Sequence, residues 1–166
     1  MTIWIGLDPG SISGAVGALD ANGDYLDSFM IEHKDKNILP LVFKNMILRC
    51  IDPREGAEIC MESVHSMPGQ GVASSFQFGR AVGVISAVAE LTRYPFHLVT
   101  PQKWKKYFHL TSDKNESLDL ARSFWPEAKL TRKKDGNRAE ALLIALYWRD
   151  QIHGKQDKPK QNPDGL

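Results

Sequence analysis

An apolar run over residues 3–7 ends on a carboxylate, Asp8, and the chain then turns at once through Pro9-Gly10. A strand that delivers an acid from its end suits a metal-ion site, and Asp before Pro-Gly is also ordinary turn chemistry. The motif alone leaves both readings open. A second run, 15–19, stops at Asp20-Ala21-Asn22-Gly23-Asp24, and a third, 25–31, follows the Asn-Gly turn. Runs of this length separated by such turns predict three antiparallel strands, with Asp8 ending the first.

Beyond them the apolar spacing changes period. Leu39, Val42, Phe43, Met46, Ile47 and Ile51 recur at helical spacing, which predicts an amphipathic helix over about 36–51. Residues 57–61 form a fourth strand pattern that again ends on an acid, Glu62. A Gly- and Pro-bearing loop, 65–71, leads into a long helical pattern over 73–91, and 96–99 reads as a fifth strand. Pro101 after Thr100 is well set to start a helix around Trp104. Two more helices are expected over 114–125 and 137–152. The order βββαβαβαα predicts an α/β domain: a central five-stranded mixed sheet, three antiparallel strands then parallel additions, with helices on both faces.

At 166 residues the chain fits one domain, expected over 1–152, with a polar, disordered tail over 153–166. No apolar stretch is read as membrane-spanning, and the N-terminus lacks a basic-then-apolar leader pattern, so a cytoplasmic protein is expected. Cys50 and Cys60 lack metal-type spacing and imply neither a disulfide framework nor a zinc site. The net charge of +1 gives no global attraction to nucleic acid. Any such attraction must come from clusters: Lys103, Lys105 and Lys106; Lys129, Arg132, Lys133 and Lys134; and Lys155, Lys158 and Lys160 in the tail.

If the first and fourth strands are neighbours, Asp8 and Glu62 share one site. Glu140 opens a helix that is apolar on nearly every side as far as Trp148, and a buried acid there needs a partner. Asp135, just upstream, reads either as a further ligand or as the cap of that helix. Acids from three elements suit Mg²⁺ or Mn²⁺, two of which can drive phosphodiester hydrolysis. No Ser-His-Asp or Cys-His set is equally coherent, and His65 and His109 read as loop residues.

These motifs resemble the RuvC-type Holliday-junction resolvases of the RNase H-like superfamily, most closely their small bacteriophage members. The likeness covers about residues 3–150. It rests on Ile5-Gly6-Leu7-Asp8-Pro9-Gly10, on Met61-Glu62, and on Gly69-Gln70-Gly71-Val72-Ala73-Ser74 with Phe78-Gly79-Arg80-Ala81-Val82-Gly83. Val99-Thr100-Pro101-Gln102-Lys103-Trp104-Lys105-Lys106 and Arg132-Lys133-Lys134-Asp135-Gly136-Asn137-Arg138-Ala139-Glu140-Ala141 complete it.

The resemblance implies an RNase H-like fold and a structure-selective DNA endonuclease. Such an enzyme resolves four-way junctions or other branched DNA by paired nicks that leave 5′-phosphate and 3′-hydroxyl ends. It implies two Mg²⁺ or Mn²⁺ ions held by Asp8, Glu62 and Glu140, with Asp135 as fourth acid. Bacterial members carry two Asp three residues apart at the start of the last helix; Asn137 and Glu140 stand there here. Lys114 matches a lysine near the scissile phosphate, Lys103, Lys106, Lys133 and Lys134 would contact the DNA backbone, and Met67, Phe76 and Phe78 are the apolar residues available for the junction centre, with Phe78 read as core from its helical spacing. The Gly79 to Gly83 spacing and paired cutting imply a homodimer. An RNase H-like nuclease acting on RNA or hybrids and a non-cleaving junction binder are the alternatives.

Overall fold

The computed structural model describes residues 1–65 and 69–154. The expectations for Met67 and for the tail beyond Gly154 therefore lie outside the described residues. In chain order the elements are β1 (Thr2–Asp8), β2 (Ala15–Leu19), β3 (Tyr25–Met30), a short pair β4 (His33–Lys34) and β5 (Asn37–Ile38), then α1 (Pro40–Arg49) and β6 (Gly56–Glu62). There follow α2 (Val72–Leu91), β7 (Phe96–Val99), α3 (Pro101–Tyr107), α4 (Lys114–Phe124) and α5 (Gly136–His153). Two single 3-10 turns, Pro126–Ala128 and Lys133–Asp135, connect the last two helices.

The main sheet has the order β3-β2-β1-β6-β7. β1, β2 and β3 are antiparallel neighbours, and β6 and β7 add parallel to β1, as the sequence predicts. Strand periodicity sorts the side chains between two cores. Ile3, Ile5 and Leu7 join Phe43, Ile47 and Ile85 under α1 and α2. Trp4 turns the other way, into a core shared with Trp104, Trp125, Leu142 and Leu146. Gly6 and Asp8 follow Trp4 at intervals of two, as Cys60 and Glu62 do along β6, so both strand-end acids face the α5 side. The parallel register pairs Leu7 with Met61, which sets Asp8 and Glu62 side by side.

Two expectations need correction. The helix expected from residue 36 starts at Pro40, because residues 33–38 form the β4–β5 hairpin. Asp35 and Lys36 make its turn in the left-handed region, at φ 50° and 62°, without the Asn-Gly signature such turns favour. Gln77 of α2 donates to the Lys36 carbonyl at 2.6 Å and ties the turn down. Second, α2 is long and apolar enough by composition to cross a membrane. It instead lays Ala81, Ile85, Val88 and Ala89 on the sheet. Cys60 is a core thiol, pushed by burial up to about 12.

α5 seats on the sheet with no side chain between. Gly6 and Gly17 are cross-strand partners, and the backbone of Ala141, Leu142 and Ala145 lies directly over them. A methyl at Gly6 would overlap the Ala141 carbonyl oxygen and lie 2.7 Å from Ala145 N; one at Gly17 would lie 2.6 Å from Leu142 N. Backbone on both sides cannot yield as a side chain does. Gly6→Ala should therefore cost about 3 kcal/mol, near the top of the overpacking range, and lower the melting temperature by roughly 6–12 °C. A thermal melt within 2 °C of wild type, on the order of 0.5–1 kcal/mol, would show that helix and sheet are not in this contact.

Candidate active site

At the C-terminal ends of β1 and β6 three carboxylates are buried together: Asp8 at 5% exposure, Glu62 at 8%, and Glu140 of α5 at 3%. The sharp 9–14 turn clears the space above Asp8, because Gly10 and Gly14 approach backbone to backbone. Glu140 enters from above, one residue before the Ala141 carbonyl that rests on Gly6. Such burial of three acids needs positive charge and donors nearby.

Two lysines supply the charge. Lys114, at the start of α4, holds its ammonium 3.1 Å from Glu140 Oε2 and 3.9 Å from Asp8 Oδ2. It also donates to Asn137 Oδ1, while Asn137 Nδ2 donates to the Ser13 carbonyl at 2.7 Å. Lys105 of α3 stands 3.1 Å from Glu140 Oε1 and 5.2 Å over the Trp104 ring. Trp104, fully buried, donates Nε1–H to Glu62 Oε1 at 2.9 Å. Ser117 of α4 reaches Glu140 Oε1 at 3.4 Å.

The charges are strongly coupled. Burial pushes the Asp8 carboxyl well above its ordinary value, helped by Glu140 and Glu62 and opposed by Lys114. Burial also raises Glu62, against the Trp104 hydrogen bond. Burial works to lower the Lys114 ammonium, but Asp8 and Glu140 outweigh it and hold the group above its usual range. Among the described residues, no three His, Cys, Asp or Glu side chains stand close enough together to hold one ion, and the Lys114 ammonium stands between Asp8 and Glu140.

No protein-family model and no curated protein matches the sequence. Solved structures do. A T. thermophilus RuvC in complex with Holliday junction substrate aligns over 93% of this chain and 97% of that one, with a TM-score of 0.69 and 16% identity. The fowlpox virus Holliday junction resolvase aligns over 90% and 99%, at a TM-score of 0.56 and 10% identity. The yeast mitochondrial Holliday junction resolvase aligns over 87% and 76%, at 0.50 and 16%. The chain has the RuvC-type resolvase fold. The structural likeness spans the sheet and the helices that bury the acids.

Within this RuvC-type fold Asp8, Glu62, Glu140 and Lys114 come together. Asp135 does not join them. It is buried at the start of α5, and arginines take both of its oxygens. Arg132 donates to it from its backbone N at 2.9 Å and from Nη2 at 2.9 Å, and Arg138 approaches at 3.4 Å. Arg138 also holds Ser28 Oγ of β3 and the Ala128 carbonyl. Nor does Asp135 cap α5 by a side-chain hydrogen bond; it closes the 3-10 turn before it. Lys103, Lys106, Lys133 and Lys134 stay exposed around the site.

Sequence reasoning grouped Lys105 with its neighbours and passed over Trp104. α3 spans seven residues, too few to show by periodicity that Trp104 turns inward and brings Lys105 with it.

Although burial opposes ionisation of Asp135, the Arg132 hydrogen bonds and charge and the Arg138 charge prevail, lowering it from 3.8 to about 2. A depressed carboxylate contributes stability that is present above its unfolded value and lost as pH falls through the folded one. Asp135→Asn should thus cost on the order of 2 kcal/mol at neutral pH, with the deficit fading as pH drops toward the folded value. Urea melts across that range check it; a deficit independent of pH would refute the ion pairing.

Proposed function

We propose that the chain is a metal-dependent, structure-selective DNA endonuclease that resolves Holliday junctions or other branched DNA by paired nicks, leaving 5′-phosphate and 3′-hydroxyl ends. The observation that carries this reading is the burial of Asp8, Glu62 and Glu140, delivered by two parallel strands and one helix, with two ammonium groups, Lys105 and Lys114, beside them among the described residues. It is supported by likeness in fold to the T. thermophilus RuvC solved with its junction substrate.

The donor set fits a hard divalent cation. All three acids offer oxygen, neither sulfur nor imidazole stands among them, and Lys114 already fills a cation position between Asp8 and Glu140. Asp8, Glu62 and Glu140 would hold Mg²⁺ or Mn²⁺, two ions per site. Bound there, the ions supply activation of a water and stabilisation of the leaving oxygen. The chain's own groups do the rest. Trp104 fixes one oxygen of Glu62, Ser117 and Lys105 orient Glu140, and Lys114, half exposed at the mouth, is free to turn outward and neutralise the scissile phosphate. Asp135 is assigned to holding the start of α5 rather than to the ions. Exposed Lys103, Lys106, Lys133 and Lys134 supply phosphate contacts to the DNA backbone.

Paired nicks need two sites, and α2 offers a surface for the second copy. Val72, Phe76, Gly79, Gly83 and Leu91 follow one another at near-helical intervals along its outer side; Val72 is 88% exposed and Phe76 72%. A Cβ on Gly79 or Gly83 would meet no atom within 4 Å, so these glycines serve no packing inside the chain. A stripe of apolar and small residues lets two helices approach closely, which fits a homodimer across α2.

A nicking assay on a synthetic four-way junction with Mg²⁺ or Mn²⁺ tests the assignment. Asp8→Asn, Glu62→Gln and Glu140→Gln should each slow cleavage by at least about 100-fold, while Asp135→Asn keeps the metal dependence of wild type. Binding without any cleavage would favour the non-cleaving reading, and preference for an RNA–DNA hybrid the RNase H-like one. Phe76→Glu should convert the protein to a monomer in sedimentation and uncouple the two nicks; a dimer that survives it would move the interface off α2.

A further inference from the structure

Beside the acids runs a chain of cavities that none of the assigned residues explains. The first, 310 Å³, lies between Val64, His65 and the Phe78 and Val82 side of α2. The second, 230 Å³, shares Val64 and His65 with it and extends to Thr100, Pro101 and Gln102. The third, 670 Å³, begins at those same Pro101 and Gln102 and passes over Lys105 and Lys106 to His109 and Ser112. Consecutive cavities share lining residues and so lie side by side, in a track from α2 past Pro101-Gln102 along α3.

We propose, building on the reading of the chain as a branched-DNA nuclease, that this track binds an unpaired strand of DNA and so selects branched substrates with a single-stranded arm. Three features point to that occupant. Charge is the first: among the described residues lining the track there is no Asp or Glu, whereas Lys105, Lys106 and two histidines are present. A polyanion fits such a lining, whereas a basic or zwitterionic partner gains less. Size is the second. Cavities of 230 to 670 Å³ are of a size to take single nucleotide units. Surface chemistry is the third: Phe78, Pro101 and Leu110 offer apolar faces, and Gln102, His109 and Ser112 offer hydrogen-bonding edges. Stacking platforms interleaved with cations are how unpaired strands are held.

The track also passes where chemistry is available. Lys105, which lines the third cavity, has its ammonium 3.1 Å from Glu140. A phosphate held there abuts the carboxylate group. The far wall is built rather than loose: His109 sits in the left-handed region at φ 58°, Thr111 N donates to Glu116 Oε2 at 2.8 Å, and Asp113 N donates to Thr111 Oγ1 at 3.2 Å.

Fluorescence anisotropy on the full chain in EDTA, where cleavage is silent, measures affinity for a short thymidine oligomer, a blunt duplex of equal length and a closed four-way junction. The oligomer should bind at least about fivefold tighter than the duplex. Gln102→Glu with His109→Glu, both exposed, should weaken the oligomer by at least about tenfold while leaving duplex affinity within about twofold. The isosteric Gln102→Glu alone should move it in the same direction, with an unchanged thermal melt. An oligomer bound no tighter than duplex, or variants that leave the oligomer unmoved, would overturn the track. The nicking assay separates the two claims: junction cleavage without oligomer preference removes the track alone, and oligomer preference without any cleavage removes the nuclease reading alone.

Discussion

Everything at the functional end of this molecule hangs from the direct contact of α5 with the Gly6–Gly17 pair. An ordinary helix packs on a sheet through side chains, which tolerate small shifts by changing rotamer. Here the Ala141 carbonyl rests on the bare backbone of β1, so the helix has one height and one register. Two residues further along β1 stands Asp8, and one residue back along α5 stands Glu140. The distance between these acids is therefore set by main-chain contact. The apolar character of α5 on nearly all sides serves the same end, since residues 139–147 are buried throughout.

Charge then decides what occupies the space so defined. Three buried acids and two ammonium groups leave an excess of negative charge, and burial raises Asp8 and Glu62. A site like this is costly to the fold in the absence of a further cation, which is the usual mark of a place arranged for binding. Asp135, only a few residues from Glu140, is treated in the opposite way. Arg132 and Arg138 surround it and lower it to about 2. The chain separates the acids at the strand ends from an acid paired with two arginines, and Asp135 and Glu140 differ in this way within a single short segment.

Much of this was legible in the residues, for identifiable reasons. Strand period two carries Trp4 to Gly6 to Asp8 and Cys60 to Glu62 onto one face, so acids at the ends of two apolar runs had to meet once those strands were neighbours. The helix start at Pro101 followed from proline's fixed φ and missing N–H, whereas the helix read from about residue 36 begins at Pro40, after a hairpin. That hairpin left little signal, because its turn uses Asp35 and Lys36 in a conformation that sequence patterns assign to glycine or asparagine. Asp135 misled for a related reason. An acid beside an acidic motif reads as a ligand unless its cations are noticed, and Arg132 and Arg138 lie three residues on either side, on the same helical face. In α3 seven residues are too few to display a period, so which of three lysines turns inward was hidden until Trp104 was seen to be buried.

The indole also explains why the inward lysine is Lys105 and not Lys103 or Lys106. With Trp104 locked by its hydrogen bond to Glu62, its ring forms a wall of the site, and the adjacent side chain can lie across that wall toward Glu140. Cation and ring attract, and the apolar stem of the lysine covers the indole face. Lys103 and Lys106, carried by the same short helix, project outward and keep their charge in solvent. One buried tryptophan thus performs two tasks: it fixes the carboxylate that ends β6, and it divides the basic residues of α3 into one that neutralises buried acid and two that remain for an anion arriving from outside.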